Sequence, residues 1–235
     1  MATKAQLADA AAELARRDRR LAKVVDRVGP PDLRRGRPRR DHFAELARAI
    51  CYQQLAGAAA ATIHGRFAAL FDDHPEPESV LATPVAKLRA CGLSASKTAS
   101  IRDLAAKVLD GTVELGRMGR LDDETVVREL VCVRGIGEWT AHMFLIFQLG
   151  RLDVWPTGDL GVRNGYARIQ GRRAVPSAKE LGPLGDVYRP YRSVVAWYCW
   201  RVVDVVPPDG TADRATIGAR RSSSRHRPAE AGEAR

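Results

Sequence analysis

Apolar residues recur three and four positions apart along most of the chain, and this spacing constrains the fold more than any other feature. It is clearest in three groups: Phe43, Leu46, Ala47 and Ile50; Ile63, Phe67, Leu70 and Phe71; and Ile101, Leu104, Ala105 and Val108. Residues at this spacing share one face of an α-helix. We find no alternation of apolar and polar residues typical of paired strands, and we therefore expect an all-α fold.

Short polar motifs mark where the helices begin and end. The candidate N-terminal signals are Thr83 followed by Pro84, Asp122, Ser177 paired with Glu180 in a capping box, and Ser193 before a Val- and Trp-rich last helix. Gly92 is a candidate C-terminal stop. These signals predict helices joined by short connections.

Composition divides the chain into three parts. Residues 1–41 hold a helix-permissive stretch from about Ala5 to Val28, stopped by Gly29-Pro30-Pro31, and a basic run from Arg34 to Arg40 that we interpret as a linker. Residues 42–206 carry the helical periodicity. Residues 207–235 contain almost no large apolar side chains, so we expect a disordered tail there.

Charge and cysteine usage exclude some classes of protein and favour others. Lys and Arg outnumber Asp and Glu by 38 to 28, which favours a polyanionic partner, although ribosomal and other basic proteins share this property. The four cysteines form no CxxC pair, so we expect no iron–sulfur cluster. No apolar run has the length of a membrane span or the character of a signal peptide, so we expect a cytoplasmic protein that does not enter a membrane.

The most informative segment runs from Leu130 to Ala141 and contains Gly135-Ile136-Gly137. We interpret this segment as a helix end, a tight hairpin and the start of a second helix, with glycine where the backbone turns sharply. Such a hairpin directs N–H groups and the positive end of a helix toward an anion such as a DNA phosphate. An ordinary helix connection would give the same pattern.

A carboxylate follows a second distinctive loop. After a helix that contains Met143, Phe144 and Phe147, the run Leu152-Asp-Val-Trp-Pro-Thr-Gly-Asp159 places Asp159 at the end of a loop stiffened by proline. By itself Asp159 would be interpreted as the N-cap of a helix starting at Leu160. That role is compatible with a catalytic one.

Four motifs in this order resemble the helix-hairpin-helix DNA glycosylase superfamily, and they are most similar to its 3-methyladenine DNA glycosylase II branch. Besides the hairpin and the Asp159 loop they include Ala49-Ile-Cys-Tyr-Gln-Gln-Leu55 and Tyr188-Arg-Pro-Tyr-Arg-Ser193. The resemblance covers approximately Phe43 to Asp204. The chain resembles the compact form of the family, which lacks an additional N-terminal α/β domain.

The resemblance implies two helical subdomains with a DNA-binding cleft between them, the hairpin motif (about residues 126–148) on one wall and Asp159 at the base. It also implies a monofunctional hydrolase that flips alkylated bases, of the 3-methyladenine and 7-methylguanine type, out of double-stranded DNA and leaves an abasic site. We expect a monomer associated with the nucleoid that needs no cofactor.

The resemblance also assigns roles to individual residues. Asp159 would be the catalytic carboxylate, Gln54 the side chain inserted into the DNA, and Leu55 the second candidate for insertion. Trp139 stands where strand-cleaving relatives have a nucleophilic lysine, which argues against lyase activity, although an aromatic on a helix also fits core packing. The implied base pocket is formed by Trp139, Met143, Leu160 and Tyr191. The implied DNA contacts are Gln53, Gln54, Leu55, Arg134, Gly135, Ile136, Gly137 and Thr140. The carbonyls implied to hold Na⁺ or K⁺ are those of Val131, Val133 and Gly135.

Two other functions remain open at this point. One is a non-catalytic DNA-binding module that keeps the hairpin without the chemistry. The other is a glycosylase for oxidised or mismatched bases, for which the hairpin lysine is lacking. For Gln53 and Gln54 a simple polar join between two helices is also open.

Overall fold

The computed structural model describes residues 2–33 and 41–203, and within these ranges the protein is all-α, as expected, with no strand. The α-helices are α1 (Lys4–Arg17), α2 (Arg19–Val28), α3 (His42–Tyr52), α4 (Gly57–Ala69), α5 (Pro77–Ala82), α6 (Val85–Ala90), α7 (Ala95–Leu109), α8 (Asp123–Val131), α9 (Glu138–Met143), α10 (Leu160–Ile169), α11 (Ala178–Leu184) and α12 (Arg192–Val203). Helix α9 continues as a π-helical segment, Phe144–Leu149, and short 3₁₀ turns span Leu115–Arg120 and Asp186–Tyr188. The basic run 34–40 and the expected tail 207–235 lie outside the described residues. None of the described helices combines the length and apolar content required to span a bilayer.

Several predicted helix boundaries are confirmed by hydrogen bonds. The side chain of Asp122 accepts from the amide of Thr125 at the start of α8. Ser177 and Glu180 form both bonds of the capping box that begins α11. Gly92 follows α6 with a φ of 100°, in the left-handed region that favours glycine.

Three boundaries differ from the sequence-based expectation. The stretch expected as one helix from Ala5 to Val28 is broken at Asp18, which ends α1 and caps α2 through bonds from the amides of Arg20 and Leu21. Pro84, not Thr83, is the N-cap of α6, a shift of one residue. Ser193 lies inside α12, where its buried hydroxyl accepts from the amide of Val154 instead of capping the helix.

The helices form two layered groups. Helices α3, α5 and α6 pack against α7, whose Ile101 and Leu104 are fully buried, α4 packs against α3, and α8 and α9 pack against each other on either side of the hairpin. Helices α1, α2, α10 and α12 form the second group, in which α10 and α12 make the most extensive contact. The π segment joins the groups, since the rings of Phe147 and Trp200 lie 5.6 Å apart.

The first two helices belong to the second group. Leu7, Leu14 and Leu21 are buried, and α2 packs against both α10 and α12. The hydroxyl of Tyr198 in α12 donates to the carbonyl of Gly29. Although residues 1–41 read as an extension to the helical domain, helices α1 and α2 therefore share a core with its last helix.

Candidate active site and nucleic-acid interface

A cavity of about 570 Å³ opens beside the hairpin, a volume within the range of small-ligand sites. One wall comes from α3 and the residues that follow it, and the other from α9 and the π segment. The lining residues are Glu45, Leu46, Arg48, Ala49, Tyr52, Gln53, Gln54, Leu55, Gly135, Trp139, Thr140, Met143, Phe144, Phe147 and Gln148. Seven of the residues assigned to the site from the sequence are therefore brought to one cavity.

Asp159 is the N-cap of α10 and its carboxylate accepts three hydrogen bonds. Oδ1 accepts from the amide of Val162 at 2.7 Å and from the indole Nε1 of Trp200 at 2.9 Å. Oδ2 accepts from the indole Nε1 of Trp139 at 2.6 Å. A carboxylate has about four acceptor positions, so Oδ2 keeps capacity for one further partner. The side chain is 8% exposed, and the capping role expected from the sequence is confirmed.

Trp139 connects this carboxylate to the cavity. The indole is half-buried and lines the cavity, while its N–H donates to Asp159. Asp159 itself does not line the cavity, and because Oδ2 accepts from the indole N–H the carboxylate lies at the edge of the Trp139 ring. An aromatic face next to a fixed negative charge favours an electron-poor or cationic ring.

The residues assigned to the base pocket are not all gathered together. Met143 lines the cavity next to Trp139, and both come from α9. Leu160 is 61% exposed, and Tyr191 is half-buried against the core; neither lines the cavity. Their part in binding a base remains a prediction.

Residues 53–55, which we name the wedge turn, follow α3 directly at the mouth of the cavity. Gln54 is exposed and has a φ of 56°, in the left-handed region that residues other than glycine seldom adopt. Leu55 is 41% exposed. The side-chain amide of Gln53 donates to the carbonyl of Gly135 at 2.9 Å, so this turn touches the hairpin.

The hairpin, residues 132–137, is fixed mainly by bonds from its own backbone. The amide of Ile136 donates to the carbonyl of Val133, and the Ile136 side chain is buried. The amide of Arg134 donates to Asp103 in α7. Among the described residues, the hydrogen bonds of this hairpin include neither the amide of Gly135 nor that of Gly137. These two N–H groups are the ones suited to an anion.

Two of the three carbonyls assigned to a monovalent cation already accept a hydrogen bond. The Val133 carbonyl accepts from Ile136 and the Gly135 carbonyl from Gln53. Each carbonyl oxygen has a second lone pair, so the geometry does not oppose cation binding, and the site remains a prediction. Within residues 2–33 and 41–203, no group of three or more His, Cys, Asp or Glu side chains is placed to hold a metal ion.

Sequence reasoning missed a charged part of the cavity wall. Arg48 is buried, with its guanidinium 4.2 Å from the ring centroid of Tyr52 and one nitrogen 3.6 Å from Glu45. All three residues lie on α3. No role was expected for Arg48 or Glu45, and Tyr52 was named only within the motif Ala49–Leu55. No motif in the sequence distinguishes them from solvated charges.

Comparison with known proteins agrees with this geometry. Residues 47–184 match the model of the HhH-GPD superfamily of base excision DNA repair proteins. The DNA-3-methyladenine glycosylase 1 of Schizosaccharomyces pombe is 33% identical over 186 residues, which cover 78% of this chain and 80% of that protein. The solved structure of the S. pombe 3-methyladenine DNA glycosylase Mag1 in complex with abasic DNA matches with a TM-score of 0.74 and 32% identity over 82% of this chain and 95% of that one. A DNA-3-methyladenine glycosidase from Bacillus halodurans matches with a TM-score of 0.72 and 32% identity over 80% of this chain and 86% of that one. On the family match, the identity to relatives and the shared fold, this chain belongs to the HhH-GPD superfamily of base excision DNA repair proteins.

Proposed function

We propose that the protein is a monofunctional DNA glycosylase that hydrolyses the N-glycosidic bond of alkylated purines of the 3-methyladenine and 7-methylguanine type. The observation that carries the proposal is the contact between the Asp159 carboxylate and the Trp139 indole at the cavity. Relatives from Schizosaccharomyces pombe and Escherichia coli are named DNA-3-methyladenine glycosylases, and these names support the same substrate class.

In this mechanism the damaged nucleotide leaves the duplex and its base stacks on Trp139, since enzymes that act on a base within a duplex must expose it first. As the bond between C1′ and the base breaks, the sugar acquires positive charge, which the Oδ2 side of Asp159 stabilises. Water then adds to C1′ and loses a proton, which completes the abasic sugar. Because an alkylpurine is cationic before cleavage, it departs as a neutral base without a strong general acid.

The surroundings of Asp159 favour a hydrolase over the two other candidate functions. A lyase needs an amine nucleophile next to the sugar, and the residue facing Asp159 from α9 is Trp139. Capping of α10 uses only Oδ1, whereas Oδ2 is held by Trp139 and keeps one acceptor position, an arrangement that a protein that only binds DNA does not need. We therefore favour the hydrolase over the binding module and over a lyase for oxidised bases.

In this proposal the hairpin and the wedge turn make the contacts that hold the DNA. The amides of Gly135 and Gly137 would bind a phosphate, and Gln54 would fill the space left by the extruded base. We further propose that the protein acts as a monomer on chromosomal DNA.

The decisive test is the release of free methylpurines from methylated duplex DNA by the wild type and by Asp159→Asn. We expect the substitution to lower the rate at least about a hundredfold, because the negative charge next to the sugar is lost. Asp72→Asn is a matched control: Asp72 is exposed beyond the far end of α4, about 20 Å from the wedge turn, and this variant should retain full activity.

Binding to duplex DNA with an abasic-site analogue should be unchanged in both variants, and thermal unfolding should show that Asp159→Asn is folded. Release of no methylpurine by the wild type, with normal DNA binding, would reject the alkylation-repair function in favour of the binding module. Equal release by the wild type and Asp159→Asn would reject the role of Asp159.

A further inference from the structure

We infer that Gln53 is a positioning residue whose side-chain amide joins the wedge turn to the hairpin, so that the two DNA-contacting elements hold a fixed separation when DNA binds. The inference rests on the proposed function and adds a role for Gln53 that differs from direct contact with DNA. The distinguishing feature is the bond from Gln53 to the carbonyl of Gly135, between residues 82 positions apart in the chain.

The direction of the Gln53 side chain supports this role. Gln53 is half-buried, whereas the neighbouring Gln54 and Leu55 are exposed. The Nε2 of Gln53 lies 2.9 Å from the Gly135 carbonyl, so its donor is directed at protein backbone. Of the two glutamines, Gln54 is therefore the one presented to a ligand and Gln53 the one that holds the turn.

Helix α7 holds both elements from the other side. The Nζ of Lys97 donates to the carbonyl of Cys51 at 2.7 Å, near the end of α3 just before the wedge turn. Ser100 packs so closely against Gly135 that a Cβ there would collide with the serine hydroxyl. Asp103 accepts the amide of Arg134 at 2.7 Å.

These three residues of α7 are three positions apart, so they lie in neighbouring positions along one side of the helix. One side of α7 therefore fixes the base of the wedge turn and the base of the hairpin. Within the described residues, the hydrogen bond from Gln53 to Gly135 is the one that links the wedge turn directly to the hairpin.

The conformation of Gln54 makes such support necessary. A glutamine with a φ of 56° is strained, and such conformations persist only where the surroundings impose them. If the Gln53 bond is lost, the turn can relax to other backbone angles, and Gln54 is no longer held in position for insertion. Base flipping then becomes less favourable, whereas the rate of bond cleavage at Asp159 is not affected.

Gln53→Met tests this directly, because methionine preserves the length of the side chain and removes the donor. The substrates are one duplex with 7-methylguanine opposite cytosine and a second with the same lesion opposite an abasic-site analogue, where no pair must be broken. We expect kcat/KM to fall about fivefold on the paired lesion, the effect of one neutral hydrogen bond, and less than twofold on the unpaired lesion.

Gln6→Met is the matched control, since it makes the same substitution at a glutamine outside the cavity and removes the hydrogen bond that the Gln6 Oε1 accepts from the amide of Thr3 at the cap of α1. Its ratio of paired to unpaired excision should equal that of the wild type. Gln53→Ala should repeat the result of Gln53→Met, and thermal unfolding of each variant identifies any that fail to fold. An equal loss on both substrates, or no loss on either, would overturn the inference.

A second readout separates this inference from the proposed function. In a duplex with 2-aminopurine next to an abasic-site analogue, insertion of Gln54 should unstack the 2-aminopurine and raise its fluorescence. We expect Gln53→Met to bind this duplex with an affinity within threefold of the wild type but to give less than half of its fluorescence increase. If the wild type releases no methylpurine, the proposed function fails and this measurement decides alone: an unchanged fluorescence increase rejects the positioning role of Gln53.

Discussion

At the scale of single residues, the carboxylate of Asp159 is oriented by two rings from different parts of the chain. Trp139 comes from α9 and Trp200 from α12, and each indole binds a different oxygen. The N–H of a tryptophan in the protein interior usually has an acceptor, and for both of these indoles the acceptor is the Asp159 carboxylate. This mutual arrangement fixes the rotation of the carboxylate, so Oδ2 is the oxygen on the cavity side.

Trp200→Phe should lower kcat about tenfold with little change in DNA affinity. Trp200 is 1% exposed and lies behind Asp159, so the variant removes the Nε1–H that binds Oδ1 without altering the cavity surface. A hydrogen bond to a charged group is worth about 1.5–3 kcal/mol, which is enough for this effect if the carboxylate rotates. Single-turnover excision rates and abasic-DNA binding are the measurements.

Trp197→Phe provides the comparison within the same helix. Trp197 is also buried, but its Nε1 has no hydrogen-bond partner among the described residues. Removal of that nitrogen should leave excision unchanged. If the two variants lost activity equally, repacking of α12 would explain the effect of Trp200→Phe, and the orienting role would be rejected.

The family resemblance assigned roles to Asp159 and Trp139 but not to Trp200, and the physical reason is plain. The first two stand in motifs marked by glycine and proline, which the resemblance could use, although the local pattern alone gave only an N-cap for Asp159 and core packing for Trp139. Trp200 lies in a helix that is apolar on nearly all sides, where a tryptophan at a core position looks like simple packing. Only the fold shows that its N–H faces Asp159 across two packed helices.

At the scale of helices, α10 and α12 approach closely at Gly165. A Cβ at this position would overlap the backbone carbonyl of Cys199 in α12. The residue therefore sets the distance between the helix that Asp159 caps and the helix that carries Trp200. Small changes in this distance act directly on the hydrogen bond between them.

Gly165→Ala should reduce both stability and activity. Since the overlap is with backbone, the helices must separate, and we expect a fall in Tm of roughly 5–10 °C together with slower excision. Differential scanning calorimetry and the methylpurine assay measure the two effects. Gly65→Ala in α4 is the control, because a Cβ there meets no atom within 4 Å and alanine favours the helix. A Gly165→Ala protein as stable as the Gly65→Ala protein would contradict the packing argument.

Helix ends with local polar signals were predictable, whereas interruptions set by tertiary contacts were not. The caps at Asp122 and Ser177 depend on bonds within four residues, which the sequence reveals. The break at Asp18 depends also on Tyr188 and Gln170, both more than 150 residues away, whose side chains donate to its carboxylate. A search for local periodicity does not detect such partners.

At the scale of the whole molecule, Asp18 joins the first helices to the loop that carries Tyr191. Burial raises the pKa of the Asp18 carboxyl. Hydrogen bonds donated by the Tyr188 hydroxyl, the amides of Leu21 and Arg20 and the Gln170 side chain lower this pKa by more than burial raises it, so the pKa lies below the ordinary value of an aspartate. The folded state therefore binds a proton at Asp18 more weakly than the unfolded chain. The resulting stabilisation is complete above the unfolded pKa of about 4 and is lost as the pH falls through the folded pKa.

Asp18→Asn should accordingly flatten the dependence of stability on pH. We expect its free energy of unfolding to be about 1 kcal/mol lower than that of the wild type at pH 7, and the difference to shrink on acidification below pH 4. Urea unfolding at several pH values measures this. Asp26→Asn, on the exposed face of α2, should follow the wild type at every pH. A constant difference between Asp18→Asn and the wild type would exclude the carboxyl as its source.

The packing of α1 and α2 against α12 has a consequence for protein synthesis. The buried leucines of the first two helices leave the ribosome long before the helix that covers them, and the second indole that orients Asp159 also arrives with that helix. Any nascent chain that ends before α12 therefore exposes an apolar surface to chaperones while its carboxylate lacks one of its donors. Such a chain contains the hairpin and Asp159 but lacks the contact from Trp200 that orients the carboxylate, so full activity is acquired only when α12 packs and the fold is complete.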